Sequence, residues 1–202
     1  MDEIGIKDRA GIIMNGQPGV FITFEGGDGA GKSTHIRFLS QALQGEGREV
    51  LCLREPGGTS VGESLRRVVL DPANAELDPT AELFIYEAAR AQLVSEVIKP
   101  AIERGAVVLC DRFYDSTVAY QAYGRGLDRS FVAAANGFAV DGIHPERTIV
   151  LVTGGAAQVG LDRAATTGAA DRMELAGLDF HQRVNEGFLS LAQQQPERVR
   201  LV

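Results

Sequence analysis

The sequence is poor in the residues from which disulfides and protein-bound metal sites are built. It has two cysteines and three histidines among 202 residues. Cys52 and Cys110 both fall in predicted buried strands, where we expect them to pack as small apolar residues and not to form a disulfide. His35, His144 and His181 show neither clustering nor ligand spacing, so we expect no metal held by protein side chains alone. These features favour a reduced, cytoplasmic protein.

The sequence also lacks long apolar runs and a surplus of basic residues. No apolar run approaches the length of a membrane span, and residues 1–18 lack the basic start and apolar core of a signal peptide. We expect residues 1–18 to form a flexible leader and residues 19–202 to form one domain. The 20 basic residues are outnumbered by 27 acidic ones, which gives a net charge of −7. This balance argues against broad nucleic-acid binding, but not against a cleft in which arginines are concentrated.

One glycine-rich stretch carries the strongest signal. An apolar, β-branched and aromatic run over residues 20–24 predicts a buried parallel strand, and a helix is expected from Lys32 to about Leu43. Between them lies the pattern G-x-x-x-x-G-K-[ST], whose glycines allow backbone N–H groups to converge on an anion beside the helix start. The alternative, a glycine-rich surface turn, is disfavoured by the flanking strand and helix. The residues of this candidate phosphate loop are Gly26, Gly27, Asp28, Gly29, Ala30, Gly31, Lys32, Ser33 and Thr34.

Strand-like and helix-like stretches alternate along the rest of the chain. Further strands are predicted over residues 48–53, 106–110, 148–152 and 198–202. Helices are predicted over residues 60–70, 81–104, 115–123, 128–140, 158–165 and 172–195, with Pro100 kinking the second of these or splitting off its last turn. This alternation predicts an α/β fold, a three-layer α/β/α sandwich with a parallel central sheet.

Charged residues follow the predicted strands at the edge where parallel sheets bind ligands. Asp111 ends the third strand, and we expect it to hold Mg²⁺, directly or through water, together with the Ser33 hydroxyl. Arg54 and Arg112 follow two strands, and Arg90 lies on the long helix. Because guanidinium groups bind phosphate with two hydrogen bonds, these arginines are predicted to hold a second, phosphate-bearing substrate.

Aromatic and amide side chains accompany these arginines. Tyr86 lies four residues before Arg90 on the same predicted helix face and is suited to stack on a base. Tyr120 and Gln121 follow the Asp111 loop and are expected to line the same pocket. Gln121 offers the donor and the acceptor that the edge of a pyrimidine base needs.

Several segments together resemble the thymidylate kinases, in particular the bacterial type. The resemblance rests on residues 24–34, 53–59, 111–117, 119–121 and 124–127, and it extends to residues 171–174. It implies the P-loop kinase fold and transfer of the γ-phosphoryl group of ATP to dTMP with Mg²⁺. It also implies a homodimer.

The resemblance assigns roles to single residues. It implies that Asp28 binds the 3′-hydroxyl of the deoxyribose, and that Arg112 and Arg54 bind the acceptor phosphate. Lys32 of the phosphate loop, Asp111 at the end of its strand and Arg112 are the catalytic candidates near the transferred group.

A second set of residues is assigned to the base and the sugar. By resemblance, Tyr86 stacks on thymine and Arg90 bonds the base or phosphate. Thr117 and Gln121 contact the base, and Tyr120 lies near the 2′-position of the sugar, where it disfavours ribonucleotides.

The candidate lid, around residues 163–172, departs from the family pattern. Members with a glycine at the position of Gly29 carry arginines in this lid, whereas here only Arg163 and Arg172 flank an arginine-free stretch. One of the two is expected to act in catalysis. Residues 152–157 also replace the Asp and Pro-containing turn that the family usually has after the fourth strand.

Three alternatives remain beside a thymidylate kinase. Another nucleoside monophosphate kinase would differ in its acceptor base. A nucleotide-binding module with impaired catalysis would bind both nucleotides without turnover, because of the arginine-poor lid. A GTPase is disfavoured because the sequence has no [NT]-K-x-D motif for reading guanine.

Overall fold

The computed structural model describes residues 18–152, 157–164 and 170–202. Within these residues five strands form one parallel sheet in the order β2-β3-β1-β4-β5. The strands are β1 (Val20–Glu25), β2 (Val50–Arg54), β3 (Val107–Asp111), β4 (Arg147–Val150) and β5 (Val199–Leu201). The helices are α1 (Lys32–Gly45), α2 (Ser60–Leu70), α3 (Pro79–Leu93), α4 (Lys99–Glu103), α5 (Tyr114–Thr117), α6 (Arg129–Val140), α7 (Ala157–Ala164) and α8 (Leu178–Gln194). The predicted α/β sandwich with a parallel sheet is confirmed.

The two central strands bury side chains on both faces of the sheet. Phe21 of β1 and Val108 of β3 pack in one apolar cluster with residues that follow α3. Phe24 and Leu109 pack in another cluster with Ile36 of α1 on the opposite face. Because helices cover both faces, these strands are mostly apolar, as parallel strands are, and their charged residues stand at the carboxyl ends.

The strand register brings the polar residues to one edge of the sheet. Phe24 and Arg54 are both aligned with Asp111, from the two neighbouring strands. Glu25 is aligned with Val150 of β4 on the other side of β1. The phosphate loop and the loops after β2 and β3 therefore begin at the same level, at the carboxyl ends of the strands.

The predicted long helix is interrupted earlier than expected. Helix α3 ends at Leu93, a π-helical segment (Val94–Ile98) follows, and α4 contains Pro100. Proline has no N–H, and its ring collides with the carbonyl group four residues before it, so the turn that precedes it widens. Separation of the last part of the helix was predicted, but the interruption begins six residues before the proline.

Two further expectations are corrected. The helix predicted from Arg172 begins only at Leu178, because the Asp171 carboxylate accepts the backbone N–H groups of Met173 and Glu174 and closes a local turn instead. Cys52 is exposed, because β2 lies at the edge of the sheet, whereas Cys110 is buried in β3 as expected.

Part of the sequence-based prediction lies outside the described residues. This holds for most of the leader, residues 1–17, for residues 153–156 after β4, and for residues 165–169 of the candidate lid. In the part of the chain that is described, no helix has both the length and the apolar character needed to cross a membrane.

Candidate active site

A cavity of about 560 Å³ lies at the carboxyl ends of the strands. Of the predicted site residues, those that line it are Asp28, Gly29, Gly31, Lys32, Ser33, Thr34, Arg54, Tyr86, Arg90, Asp111, Arg112, Thr117, Tyr120, Gln121 and Arg163. Gly26, Gly27 and Ala30 complete the loop behind them. The volume is that of a small-molecule site.

The loop between β1 and α1 has the backbone shape of an anion cradle. Gly26 has φ 123°, and a Cβ there would lie 2.3 Å from the carbonyl oxygen of Leu151. Gly31 has φ 92° at the start of α1, and among the described residues no side chain caps that start. The first N–H groups of α1 therefore point into the cavity with the positive end of the helix dipole.

The Lys32 side chain lies folded against this loop. Its ammonium group donates to the carbonyl oxygens of Gly26 and Gly27, at 3.2 and 2.9 Å. Burial, followed by the nearby positive charge of Arg112, lowers the pKa of Lys32 to about 8. An incoming phosphate would supply the negative charge that this buried ammonium group lacks.

Ser33 and Asp111 meet at the base of the cavity. The Ser33 hydroxyl donates to Oδ2 of Asp111 at 3.2 Å. A hydroxyl beside a carboxylate is an oxygen set that suits Mg²⁺. Within the described residues, no group of three or more His, Cys, Asp or Glu side chains is arranged to hold a metal. Magnesium would therefore need phosphate oxygens and water as its other ligands.

An ion pair joins the phosphate loop to the loop after β3. Nη2 of Arg112 donates to Oδ1 of Asp28 at 2.5 Å, and the guanidinium carbon lies 5.1 Å from the centre of the Tyr120 ring. The Tyr120 hydroxyl donates to the other oxygen of Asp28 at 3.4 Å. Burial would raise the pKa of Asp28, but Arg112 and Lys32 lower it below its ordinary value.

Arg112 is held in a backbone conformation that is uncommon outside glycine, with φ 70°. Glu25, fully buried at the end of β1, stabilises the turn at Arg112 by accepting hydrogen bonds from the residues that follow it. Its carboxyl group accepts the N–H of Phe113 at 2.8 Å and the hydroxyl of Ser116 at 2.5 Å. Ser116 in turn accepts a bond from Nη1 of Arg112 at 3.2 Å. The Arg112 guanidinium is thus positioned by its backbone conformation and by Ser116, whose hydroxyl is bonded to Glu25.

Arg54 and Arg90 differ in how they reach the cavity. Arg54 is half exposed at the mouth and pairs with Glu63 at 3.1 Å. Arg90 is buried, and its guanidinium contacts Glu55 and Glu87, each at 2.8 Å. Burial raises the pKa of Glu55 to about 7 against the lowering effect of Arg90. Arg90 therefore lines the cavity with donors that carboxylates already engage.

The base-binding candidates form one wall of the cavity. Thr117 ends α5, and Tyr120 and Gln121 lie in the π-helical segment that follows (Val118–Gly124). Thr117 and Gln121 are almost fully buried, and Tyr86 of α3 is half-buried among the lining residues. A single α-helix was predicted here. The widened turn is typical of helices at functional sites.

The two lid arginines are placed differently. Arg163, in the last turn of α7, lines the cavity, and a Cβ on Gly29 would lie 3.0 Å from its Cβ. Arg172 is buried outside the cavity lining and donates to Glu82 at 2.6 Å and to the carbonyl of Val69 at 2.8 Å. The expectation that Arg172 acts as a lid arginine is thus not supported by its placement, because two internal acceptors hold its guanidinium.

Sequence reasoning missed several charged residues around the cavity, and three of them bear on its geometry. Arg66 of α2 lines the cavity and donates to the carbonyl of Pro56 at 2.9 Å. Glu25 and Glu82 are buried behind the lining residues. Glu25 lies within residues 24–34, on which the family resemblance rests. An acidic residue at the end of a buried strand was the sequence signal that could have identified it. No sequence pattern distinguished Glu82 or Arg66 from ordinary helix residues.

Comparison with known proteins agrees with this geometry. The family model described as thymidylate kinase matches residues 24–202. The thymidylate kinase of Trichlorobacter lovleyi is 48% identical over 189 residues, which cover 91% of this chain and 88% of that protein. This chain belongs to the thymidylate kinase family. The thymidylate kinase of Deinococcus radiodurans is likewise 48% identical, over 180 residues that cover 89% of this chain and 86% of that protein.

A solved structure of the same family shares the fold. The crystal structure of thymidylate kinase from Ehrlichia chaffeensis superimposes with a TM-score of 0.74 at 33% identity, covering 92% of this chain and 87% of that one. Membership in the thymidylate kinase family makes the chain a phosphotransferase, and phosphoryl transfer to dTMP is the reaction of that family.

The buried carboxyl group of Glu25 predicts a specific pH dependence of stability. Burial, followed by the nearby Asp115, raises its pKa to about 8 from 4.5. Between these pH values the unfolded chain loses a proton that the folded chain keeps, so raising the pH favours unfolding. Relative to Glu25→Gln, the wild-type free energy of unfolding should fall by up to about 1.4 kcal/mol per pH unit.

Urea unfolding at several values between pH 5 and pH 8 measures this difference. Glu76→Gln, which changes an exposed glutamate, is the control and should follow the wild type. A difference between wild type and Glu25→Gln that stays constant with pH would show that Glu25 is not protonated in the folded chain.

Proposed function

We propose that this chain transfers the γ-phosphoryl group of ATP to dTMP, giving dTDP and ADP, with Mg²⁺ bound to the nucleotide. The observation that carries the proposal is one cavity in which a phosphate loop faces an arginine-lined pocket, in a member of the thymidylate kinase family. Two alternatives from the sequence stay open to test, another acceptor base and nucleotide binding without efficient turnover.

On the donor side, the phosphate loop would bind ATP through its backbone N–H groups and Lys32. The Lys32 ammonium group now rests on carbonyl oxygens and would exchange them for β- and γ-phosphate oxygens. Ser33 and Asp111 would hold Mg²⁺, which neutralises charge on the phosphates when it is bound. Phosphoryl transfer needs such positioning and charge more than it needs covalent chemistry.

On the acceptor side, the phosphate of dTMP would lie between the arginines. We assign it to Arg112, with Arg54 at the mouth of the cavity, because guanidinium groups bind phosphate with two hydrogen bonds. Asp28 would accept the 3′-hydroxyl of the sugar. Because the Tyr120 hydroxyl contacts the same carboxylate, its ring would lie next to that edge of the sugar, where it would meet a 2′-hydroxyl.

The thymine base would enter the wall formed by α3 and the π-helical segment Val118–Gly124. Tyr86 would stack on the ring, and Thr117 and Gln121 would bond its edge. Arg90 would contact the base or phosphate by exchanging a hydrogen bond that it now makes to Glu55 or Glu87.

For the lid around residues 163–172 we propose that Arg163 is the arginine that meets the transferred phosphate. It lines the cavity beside Gly29, whereas Arg172 is anchored to Glu82. Under this assignment a single arginine would neutralise the charge for which related kinases carry several lid arginines.

We also propose that the chain works as a homodimer in the cytoplasm, with neither nucleic acid nor membrane as a partner. Helices α2, α3 and α6 expose neighbouring apolar residues, and the rings of Phe84 and Phe131 are in edge contact. The exposed apolar residues of this dimer face are Val61, Val68, Phe84, Phe131 and Phe138. Exposed apolar residues on neighbouring helices favour burial against a second copy. Both cysteines are free, which fits a reducing compartment.

The test of the proposed reaction is ADP release with ATP, Mg²⁺ and each nucleoside monophosphate in turn. Turnover should be highest with dTMP. Lys32→Ala should lower kcat by about 10²- to 10³-fold, because it removes a cation aimed at the developing charge. Lys99→Ala, which changes a surface lysine paired with Asp141, is the control.

Each other outcome has a definite meaning. Preference for a different monophosphate would keep the kinase and reject dTMP as acceptor. Nucleotide binding without turnover would favour the impaired module. Unchanged kcat in a folded Lys32→Ala variant would reject the phosphate-loop assignment.

Arg112→Ala separates the two substrates. We expect the Kd for dTMP to rise by about 30-fold, the loss of one charge-assisted interaction worth about 2 kcal/mol, with a much smaller change for an ATP analogue. Calorimetric titration of each ligand measures this, with the exposed Arg147→Ala as control. Equal losses for both ligands would refute an acceptor-side role.

The dimer face is tested by sedimentation equilibrium. Phe138→Glu, at a side chain 90% exposed in the single chain, should shift a dimer to monomer because it places a charge in the apolar interface. Phe38→Glu, at an exposed phenylalanine of α1 outside the dimer face, should leave the dimer intact. If Phe138→Glu stays dimeric and Phe38→Glu becomes monomeric, the proposed dimer face is wrong and the interface includes α1.

A further inference from the structure

One buried carboxylate lies behind the base-binding wall and contacts three side chains from two separate parts of the chain. Glu82, in the first turns of α3, is fully buried. Oε1 accepts from Nε2 of Gln121 at 2.8 Å and from Nε of Arg125 at 3.1 Å. Oε2 accepts from Nη2 of Arg125 at 3.0 Å and from Nη2 of Arg172 at 2.6 Å. Two guanidinium groups thus balance the charge of Glu82, and Gln121 takes its remaining acceptor position.

This arrangement decides which way the Gln121 amide points. A carboxylate accepts hydrogen bonds and donates none, so the NH₂ end of the amide must face Glu82. Gln121 lines the cavity, and none of the hydrogen bonds between described residues uses its Oε1. The carbonyl oxygen is therefore the end of the amide left for a ligand.

A fixed acceptor at this position distinguishes pyrimidines by the direction of their hydrogen bonds. Thymine carries its only ring donor, an N–H, at N3, whereas N3 of cytosine is an acceptor and would face Oε1 with no proton between them. Two acceptors that face each other with no proton between them are strongly disfavoured in a pocket that excludes water. We infer that Glu82 is a positioning residue that orients the Gln121 amide and thereby sets the preference for thymine over cytosine. This inference rests on the proposed function, since it concerns the acceptor base of that reaction.

Replacement of Glu82 by glutamine should reverse the amide. The single carbonyl oxygen of the new side chain is drawn to the Oε2 position, which accepts from two guanidinium groups, whereas the Oε1 position accepts from one. Its NH₂ group then occupies the Oε1 position, where the bond from Nε of Arg125 is lost, and it faces Gln121, which must present its own carbonyl oxygen to it. The NH₂ group of Gln121 consequently points into the cavity, where it suits N3 of cytosine and not N3 of thymine.

The experiment compares kcat/KM for dTMP, dCMP and dUMP in the wild type and in Glu82→Gln. The ratio of dTMP to dCMP should fall by about 10- to 100-fold, as expected when one buried hydrogen bond is mismatched. The ratio of dTMP to dUMP should not change, because thymine and uracil present the same polar edge and differ by a methyl group. General damage to the pocket would not spare one ratio and lower the other.

Two further variants separate positioning from structural support. In Gln121→Met, where there is no amide to orient, adding Glu82→Gln should leave the dTMP to dCMP ratio where Gln121→Met alone puts it. Asp115→Asn removes another buried carboxylate, one that pairs with Arg198 at 2.7 Å and does not line the cavity, and should leave both ratios unchanged. Thermal unfolding checks that each variant is folded.

If Glu82→Gln does not fold, Glu82→Asp takes its place. Its shorter carboxylate keeps the charge that the arginines need but withdraws from Gln121, so the dTMP to dCMP ratio should fall again. An unchanged ratio in a folded variant, with a wild type that prefers dTMP, would overturn the inference alone. A wild type with no preference for dTMP over dCMP would contradict the proposed function and this inference with it.

Discussion

The structure depends on one electrostatic constraint: a guanidinium group that leaves water must be given a negative partner. The chain has more acidic than basic residues, and around the cavity it uses acidic side chains as counter-charges for arginines. The pairs are Arg112 with Asp28, Arg90 with Glu55 and Glu87, Arg54 with Glu63, and Arg125 and Arg172 with Glu82. These carboxylates hold the cations in place before a phosphate arrives, so binding need not order long side chains from a mobile state.

Which site residues could be predicted from the sequence depends on how locally their placement is determined. Arg54, Asp111 and Arg112 directly follow strands, and parallel strands of similar length bring such residues to one edge whatever their side chains do. The placement of the phosphate loop residues also depends on near neighbours in the sequence, since the glycines among them determine the backbone conformation. Glu82 could not be predicted, because its role depends on Gln121 and Arg172, which lie 39 and 90 residues away. A helix glutamate pointing inward has the same sequence signature as one pointing to solvent.

The segments predicted least well are those in which a local hydrogen bond competes with helix formation. Pro100 removes a donor, and the helix before it widens into a π-helical segment. Asp171 satisfies two backbone N–H groups with its own side chain, and the helix expected there starts several residues later. The spacing of apolar residues is nearly the same before and after the π-helical segment and the turn at Asp171, so this spacing alone predicts a continuous helix in each case. The second deviation matters for the site, because the turn at Asp171 brings Arg172 inward to Glu82.

The phosphate and the base of dTMP, the proposed substrate, differ in how well their binding sites can be predicted from the sequence. A phosphate is attracted to positive charge from many directions, so residue type and position at a strand end nearly suffice to predict its site. A base edge is recognised by the order of donors and acceptors, and an amide offers either order until a neighbour excludes one. Asn and Gln side chains therefore acquire specificity through a neighbour that can only accept or only donate, such as the buried Glu82 carboxylate, which only accepts. Since that group need not touch the ligand, the residues that determine base preference extend beyond those that line the cavity.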